Sequence, residues 1–539
     1  MTLLGWFIFF LIVQLIHGLG TWKLYQKAGR KAWEAFVPVY NAIVLMKIIN
    51  RPWYWVILLF LPIVNLIMFP VVWVETARSF GKNSPTDTFL AILSLGIYNY
   101  YLNYATDVQY VKDRSLHPRT ALGEWVSSIL FAVVAATIVH TYFIQPFTIP
   151  TSSLEKTLLV GDFLFVSKVN YGARIPQTTL ALPMVHDSIP GTGIKSYLVN
   201  DKPEEKNSSL LNKLLLPYMR LPGFEKIERN DIVVFNWPVD TMLTMRTTDR
   251  NYFKPIDKKT NYVKRCVGLP GDSFEVRNGY VYINGEQNDL PDRTKLQFSY
   301  EITFKRNLHP SQIMEILSRY DITDGLAYGP SYNPNLEGAP ISYMIPAATN
   351  EAIGRLKNHP DIAGVNPIKQ TAGKRDAGIF PHDVAYNWNN DFMGPFTIPQ
   401  EGSSINLSLE NLEVYKRAIT EYEGNTLRIE GNQIIINGKP ASSYTFKQNY
   451  YWMMGDNRHN SQDSRAWGFV PFDHVVGKPV FIWMSLDSNK SGLQKVRWDR
   501  VFTTVHGTGE PKSYLIPFLV LVVIGYIGNK WRKKRKKAA

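Results

Sequence analysis

Long apolar runs at both ends of the chain bracket a middle that alternates in short steps and is punctuated by Gly and Pro. Five stretches, at about 3–20, 53–74, 88–104, 125–144 and 513–529, are apolar enough to cross a bilayer, several near the short end of the roughly 17–25 residues a span needs. No charged n-region precedes the first stretch and no small-residue cleavage site follows it, so it reads as a retained span. The charges between the stretches set an orientation. Lys23, Lys27, Arg30, Lys31, Lys47 and Arg51 stand against the single acid Glu34 after the first, whereas Arg78 and Lys82 are balanced by Glu75 and Asp87 after the second. Lys112, Arg114 and Arg119 follow the third, and the tail from Lys530 to Lys537 is densely basic. Basic loops stay in the cytoplasm, so the N-terminus is expected outside, the tail inside and 145–512 exported. A re-entrant hairpin or buried core helices in place of the second and third spans would leave that placement unchanged.

Beyond the fourth stretch the hydrophobic period shortens to that of strands. Segments 162–168, 231–235, 273–277, 280–283, 426–429 and 433–436 are short and rich in β-branched or aromatic residues, and the pairs Asn278-Gly279, Asn284-Gly285 and Asn437-Gly438 bound several of them. A largely antiparallel β structure follows, with two related hairpins at 277–286 and 429–439. Between the hairpins the pattern predicts strands at 296–304, 326–328, 341–345 and 365–369 and helices at 310–320 and 350–357. That β-α-β-β-α-β order fits a small ferredoxin-like unit set into the β domain, flanked by Gly/Pro-rich loops at 328–340 and 370–403. A second insertion, 173–224, has many Pro, Leu and Lys residues and no clear period.

Composition narrows the chemistry. With 539 residues, 45% of them hydrophobic, the chain can build more than one core. One cysteine, Cys266, excludes an intramolecular disulfide framework and a multi-thiolate metal site, and no His-Glu-x-x-His run occurs. The formal charge of +14 gathers partly in the C-terminal tail directly after an apolar span, which fits a cytoplasmic membrane face better than nucleic acid.

Three separated polar elements carry the candidate site. The first is Phe147-Thr-Ile149-Pro150-Thr151-Ser152-Ser153-Leu154-Glu155-Lys156-Thr157-Leu158, just after the fourth apolar stretch. The second is Asn261-Tyr262-Val263-Lys264-Arg265-Cys266-Val267, and the third Gly455-Asp456-Asn457-Arg458-His459-Asn460-Ser461-Gln462-Asp463-Ser464-Arg465. A serine hydroxyl needs a base, and a lysine serves once apolar neighbours strip its proton. Tyr262, Val263, Cys266, Val267 and Leu269 surround Lys264 in this way. The strand pattern alone is equally compatible with a surface lysine on an edge strand. Ser153 reads also as a helix N-cap, though Lys156 makes a poor capping box. The third element taken alone is a turn-rich loop held by Asx-turns and Arg–carboxylate pairs. His459 raises a Ser-His-Asp triad as the rival, but no Gly-x-Ser-x-Gly surrounds Ser153.

Together the three elements resemble those of bacterial type I signal peptidases, membrane-anchored Ser/Lys endopeptidases that remove signal peptides from exported proteins. The resemblance covers about 125–172, 226–285 and 450–505. It implies a membrane-anchored, mainly β fold: an antiparallel β catalytic domain with an α+β insertion, plus about five transmembrane helices. The expected divisions are a multi-span region at 1–124, an anchor at 125–144, and a first catalytic part at 145–285 that contains the 173–224 insertion. An inserted region at 286–425, a second catalytic part at 426–510 and a final helix with basic tail at 511–539 follow. The resemblance makes Ser153 the nucleophile and Lys264 the general base. Thr151 would assist the oxyanion hole beside the Ser153 N–H, and Ser461 would orient the lysine ammonium. It gives Arg265, Asp456, Asp463 and Arg465 supporting roles, and it places Phe147, Ile149, Leu158 and Val263 in shallow pockets for Ala-x-Ala substrates. No metal or organic cofactor is implied. The partners would be signal-peptide-bearing preproteins and the lipid bilayer, with the secretion machinery as a further candidate and no nucleic acid. Lysine at 264, where endoplasmic-reticulum relatives carry histidine, favours a bacterial cytoplasmic membrane with the catalytic domain on its outer side and the C-terminal tail in the cytoplasm. A leucine and a lysine, Leu154 and Lys156, replace the usual methionine and proline after the serine, so a looser turn is expected there. A non-catalytic scaffold that keeps the fold, and a peptidase of narrow purpose, are the alternative readings.

Overall fold

The structure, a computed structural model, describes residues 2–118, 120–244, 249–329 and 342–538. Two compact units emerge, one from 1–143, 173–222 and 240–260, the other from 144–172, 223–239 and 261–539.

In the first unit, helices Leu3–Lys27, Tyr40–Ile48, Val64–Ser79 and Tyr98–Tyr104 close a core around Leu24, Val44, Met46, Val72, Ala91 and Leu102. Among the described residues three helical segments are long and apolar enough to cross a membrane: Leu3–Lys27 and Ala121–Phe143 here, and Leu515–Arg535 in the second unit. About five were expected, and local backbone chemistry accounts for the difference. Leu61 precedes Pro62 and takes extended backbone (φ −81, ψ 117), and Ile63 is left-handed at φ 70. The 53–74 stretch therefore divides into Trp55–Phe60 and Val64–Ser79. Leu95 and Gly96, at φ 50 and 89, divide the next stretch into Pro85–Leu93 and Tyr98–Tyr104. Two of the loop arginines counted in the charge argument are engaged inside the unit, since Arg51 and Arg114 lie 2.8 and 2.6 Å from the buried Glu75. The 173–222 and 240–260 segments form isolated bridges, such as Ala181 with Tyr197, around Lys254, which is buried between Asp187 and Asp240.

The second unit is built on an antiparallel sheet whose order places the candidate residues. Strands β1 (Ile144–Thr148), β2 (Asp162–Ser167), β3 (Ile232–Asn236) and β4 (Asn261–Gly268) alternate with later segments of the chain. The order is β1, β2, Val475–Ser485, β3, β4, Tyr450–Met454, Val470–Pro471. β4 is thus an interior strand, and its residues from Lys264 onward are buried. This answers the question the strand pattern left open, against the surface lysine on an edge. Cys266 is fully buried on β4, and burial pushes its thiol well above the ordinary value.

Both expected hairpins form, and all three Asn-Gly pairs turn between paired strands. Asn278 and Gly279 (φ 54 and 82) turn Ser273–Arg277 into Tyr280–Ile283, and Asn437 and Gly438 (φ 51 and 78) follow Gln433–Ile436. Two successive left-handed residues match the right-handed strand twist, which is why Asn-Gly is the favoured pair. Phe274, Val281, Phe396, Ile434, Trp452 and Phe469 share one buried cluster beneath these hairpins. The inserted segment has the β-α-β-β-α-β order expected: Gln297–Phe304, Pro310–Arg319, Ala327–Tyr328, Ser342–Thr349, Asn350–Leu356 and Ile362–Pro367. Its four strands lie in the order fourth, first, third, second, around Ile302, Ile313, Leu317, Ile345 and Leu356. Most of the loop expected at 328–340 lies outside the described residues.

Candidate active site

Extended backbone at Thr151 (φ −133, ψ 154) leads into a single tight turn, Ser152–Leu154, whose serine and leucine are buried. Leu154 and Leu158, 1% and 0% exposed, plug that turn into the cluster of Ile149, Leu164, Ile232, Val234 and Ile482. Phe147 and Val263 pack on the same cluster, so the four expected pocket residues share one apolar wall. Leu154 fills the position expected of methionine, as volume-conserving exchange allows.

Across the sheet, Lys264 pairs with Val233 on β3, and its side chain reaches Ser153. Its Nζ donates to Ser153 Oγ at 2.6 Å and to the Val263 carbonyl at 3.1 Å, and lies 5.3 Å from the Tyr262 ring centre. Burial brings the amine down to about 8, although Asp463 and Asp456 pull the other way. The pair therefore meets the geometric and electrostatic demands of a nucleophile with a neutral base.

The third element encloses the pair from the other side. Asn457 N–H donates to the Ser153 carbonyl at 3.1 Å, and its Nδ2 to the Ser152 carbonyl at 3.2 Å. Arg265 makes a two-pronged ion pair with Asp456, at 2.8 and 2.7 Å, with both side chains buried. Thr157 Oγ1 donates to the same carboxylate at 2.7 Å, tying the turn after the serine to the ion pair. Arg465 grips Asp463 at 2.9 and 2.8 Å, and Gly455 N–H donates to Asp463 at 3.0 Å. Burial alone would raise the Asp463 carboxyl, but the Arg465 guanidinium and these hydrogen bonds hold it below the usual carboxylate range.

Ser461 comes to the same place by a different contact. It is near enough to Asp463 to help hold that carboxyl down, yet its buried hydroxyl makes no hydrogen bond of ordinary geometry among the described residues. Thr151 is exposed, two residues before the serine. His459 is committed elsewhere: Nδ1 accepts from Ser299 N–H at 3.0 Å, which leaves Nε2 to donate to Asp391 at 2.9 Å. That histidine–aspartate pair faces the inserted unit, while Lys264 occupies the Ser153 hydroxyl.

Sequence reasoning passed over three contributors. Thr157 and Asn457 brace the serine turn, and Gly455 leaves it room. A Cβ at Gly455 would lie 2.2 Å from Ser461 Oγ and 2.6 Å from the Ser153 carbonyl oxygen. Gly455→Ala must displace one of them, so we expect at least a tenfold fall in peptide cleavage and roughly 1–3 kcal/mol less stability by urea unfolding.

Comparison with known proteins gives two family matches. Residues 122–317 and 441–484 match the family described as signal peptidase, peptidase S26, and 33–113 match a family of unknown function, DUF5684. Signal peptidase I of Buchnera aphidicola subsp. Acyrthosiphon pisum is 24% identical over 402 residues, which span 72% of this chain and 87% of that protein. Signal peptidase I of Helicobacter pylori strain J99 is 24% identical over 71% of this chain and 91% of its own length. For Haemophilus influenzae the figures are 23%, 72% and 78%. Residues 122–317 and 441–484 are thus similar to peptidase S26, an additional N-terminal region precedes them, and the chain is a serine peptidase similar to the type I signal peptidases.

Proposed function

We propose that this protein removes signal peptides from exported preproteins, using Ser153 as nucleophile and Lys264 as general base. The carrying observation is the 2.6 Å contact between a buried amine and a buried serine hydroxyl. As Ser153 Oγ bonds to the scissile carbonyl carbon, its proton passes to Lys264 Nζ. The oxyanion gathers on the side of the Ser153 N–H, with Thr151 as the second donor. Lys264 then returns the proton to the departing amine nitrogen, leaving an acyl ester on Ser153. Water hydrolyses the ester in the second half, again with Lys264 taking the proton.

Substrate choice follows from the wall beside the dyad. β1 forms one edge of the main sheet, and the ladder from Tyr450–Met454 meets β4 only from Arg265 onward. An extended peptide would lie beside 147–151 and 262–264, its small side chains against the partly exposed Phe147 and Val263, which rest on the buried Ile149 and Leu158, hence cleavage after Ala-x-Ala. Arg265, Asp456, Asp463, Arg465 and Ser461 keep the lysine and serine in register. The apolar helix ending 10 residues before Ser153 would hold the site at the outer face of a bacterial cytoplasmic membrane, with the basic tail in the cytoplasm.

The test is cleavage of a purified preprotein by the full chain in detergent, with the new N-terminus read by mass spectrometry. One cut after a small residue, insensitive to chelator, is expected. Because the neutral amine is the active form, kcat/KM should rise about tenfold per pH unit up to about 8 and then level. A rate that peaks below pH 7, or that chelator abolishes, would overturn the dyad reading.

A further inference from the structure

We propose that the inserted α+β unit is a positioning element for the nucleophile, with Lys156 as the residue through which it acts; this rests on the peptidase reading above. Lys156 stands three residues after Ser153 with left-handed backbone, φ 70. Proline, fixed near φ −65, could not occupy that conformation, so the turn is built differently rather than loosened. A residue with a Cβ persists there only when its surroundings over-determine it.

The inserted unit supplies those surroundings. Lys156 Nζ donates to the Asp321 carbonyl at 2.9 Å and pairs with the Asp321 carboxylate at 2.8 Å. Asp321 is itself left-handed (φ 62) and sits two residues beyond helix Pro310–Arg319, so the ammonium meets the negative end of that helix. Only 14% of the lysine side chain is exposed.

A second attachment reaches the opposite side of the serine. Gln297, which opens the first inserted strand, donates to the Asp456 carbonyl at 3.0 Å and accepts from Arg458 N–H at 2.9 Å. Between those two residues lies Asn457, whose N–H holds the Ser153 carbonyl. One inserted unit therefore grips both the turn that follows the nucleophile and the segment that hydrogen-bonds its carbonyl. Neither Lys156 nor Asp321 touches the Lys264 amine or the Ser153 hydroxyl, so both act through the turn.

The experiment uses the full chain in detergent with a preprotein substrate, measuring kcat and KM separately together with the pH profile and thermal midpoint. Lys156→Ala and Asp321→Ala should each lower kcat roughly tenfold, with KM and the pH midpoint unchanged. Lys156→Arg should keep most of the activity. The exchange Lys156→Asp with Asp321→Lys should recover more than either single charge reversal. Losses that multiply independently in the double alanine variant, a kcat equal to wild type, or an effect confined to the thermal midpoint would overturn the proposal. Cleavage that survives Ser153→Ala in the otherwise unaltered chain would instead overturn the peptidase reading, which keeps the two failures distinct.

Discussion

Lys264→Met abolishes processing while leaving the protein at least as stable as wild type. Methionine matches the length of the lysine stem and fills the same buried channel on β4. What it removes is the proton acceptor for Ser153, for which a loss of about a thousandfold or more in kcat is expected; Ser153→Ala should cost at least as much. Stability moves the other way. The buried amine titrates near 8 rather than at its ordinary value of 10.5. Between those pH values the unfolded chain binds a proton that the folded one does not, so wild-type stability rises with pH across that window. Below about pH 8 the fold carries the whole cost of a buried charge, roughly 3 kcal/mol at about 1.4 kcal/mol per pH unit. Methionine carries none of it. Thermal unfolding at pH 7 should therefore show the inactive variant melting no lower than wild type, and the difference should shrink toward pH 10. A variant that is both inactive and unfolded would mean that Lys264 serves structure rather than chemistry.

Breaking the Arg265–Asp456 pair has the opposite signature. Asp456→Ala strands a buried guanidinium whose remaining bond in the described structure is to the Asn230 carbonyl, 2.7 Å away. Removing one partner of such a pair costs about 3–5 kcal/mol, chiefly because the survivor stays desolvated. It also frees Thr157, which holds the nucleophile turn through that carboxylate. Urea unfolding should show a loss in this range, with cleavage falling alongside. The double variant Asp456→Leu with Arg265→Met should regain most of the stability, since apolar side chains replace a buried pair at little cost. Little recovery would show that the pair carries specific structure that apolar packing cannot reproduce.

Much of the second unit was legible because its signals are local. Asn278-Gly279 and Asn437-Gly438 announce hairpins within four residues, and the switch from period 2 to period 3.6 and back marks the inserted unit strand by strand. The three site elements were legible as motifs, in their order along the chain. Their partnerships were not, because the ladders on the two sides of β4 draw on residues 232–236 and 450–454, separated by more than two hundred positions. No local pattern distinguishes an interior strand from an edge at that range. The breaks in the second and third apolar stretches were hidden for the converse reason: a hydropathy window averages over Leu61-Pro62-Ile63 and Leu95-Gly96, where two or three backbone angles end a helix. Lys156 read only as a poor capping residue in a loosened turn, because its left-handed backbone cannot be read from its neighbours and its anchor at Asp321 is a contact across 165 residues.

The inertness of Cys266 has a practical use. Sealed inside the sheet with its proton held fast, the sole native sulfhydryl should ignore maleimide reagents under folding conditions. A second one placed by Ser311→Cys, at the solvent-facing start of the inserted unit's first helix, would then take a fluorophore alone. Movements of that unit during turnover could be followed optically in an otherwise unaltered enzyme.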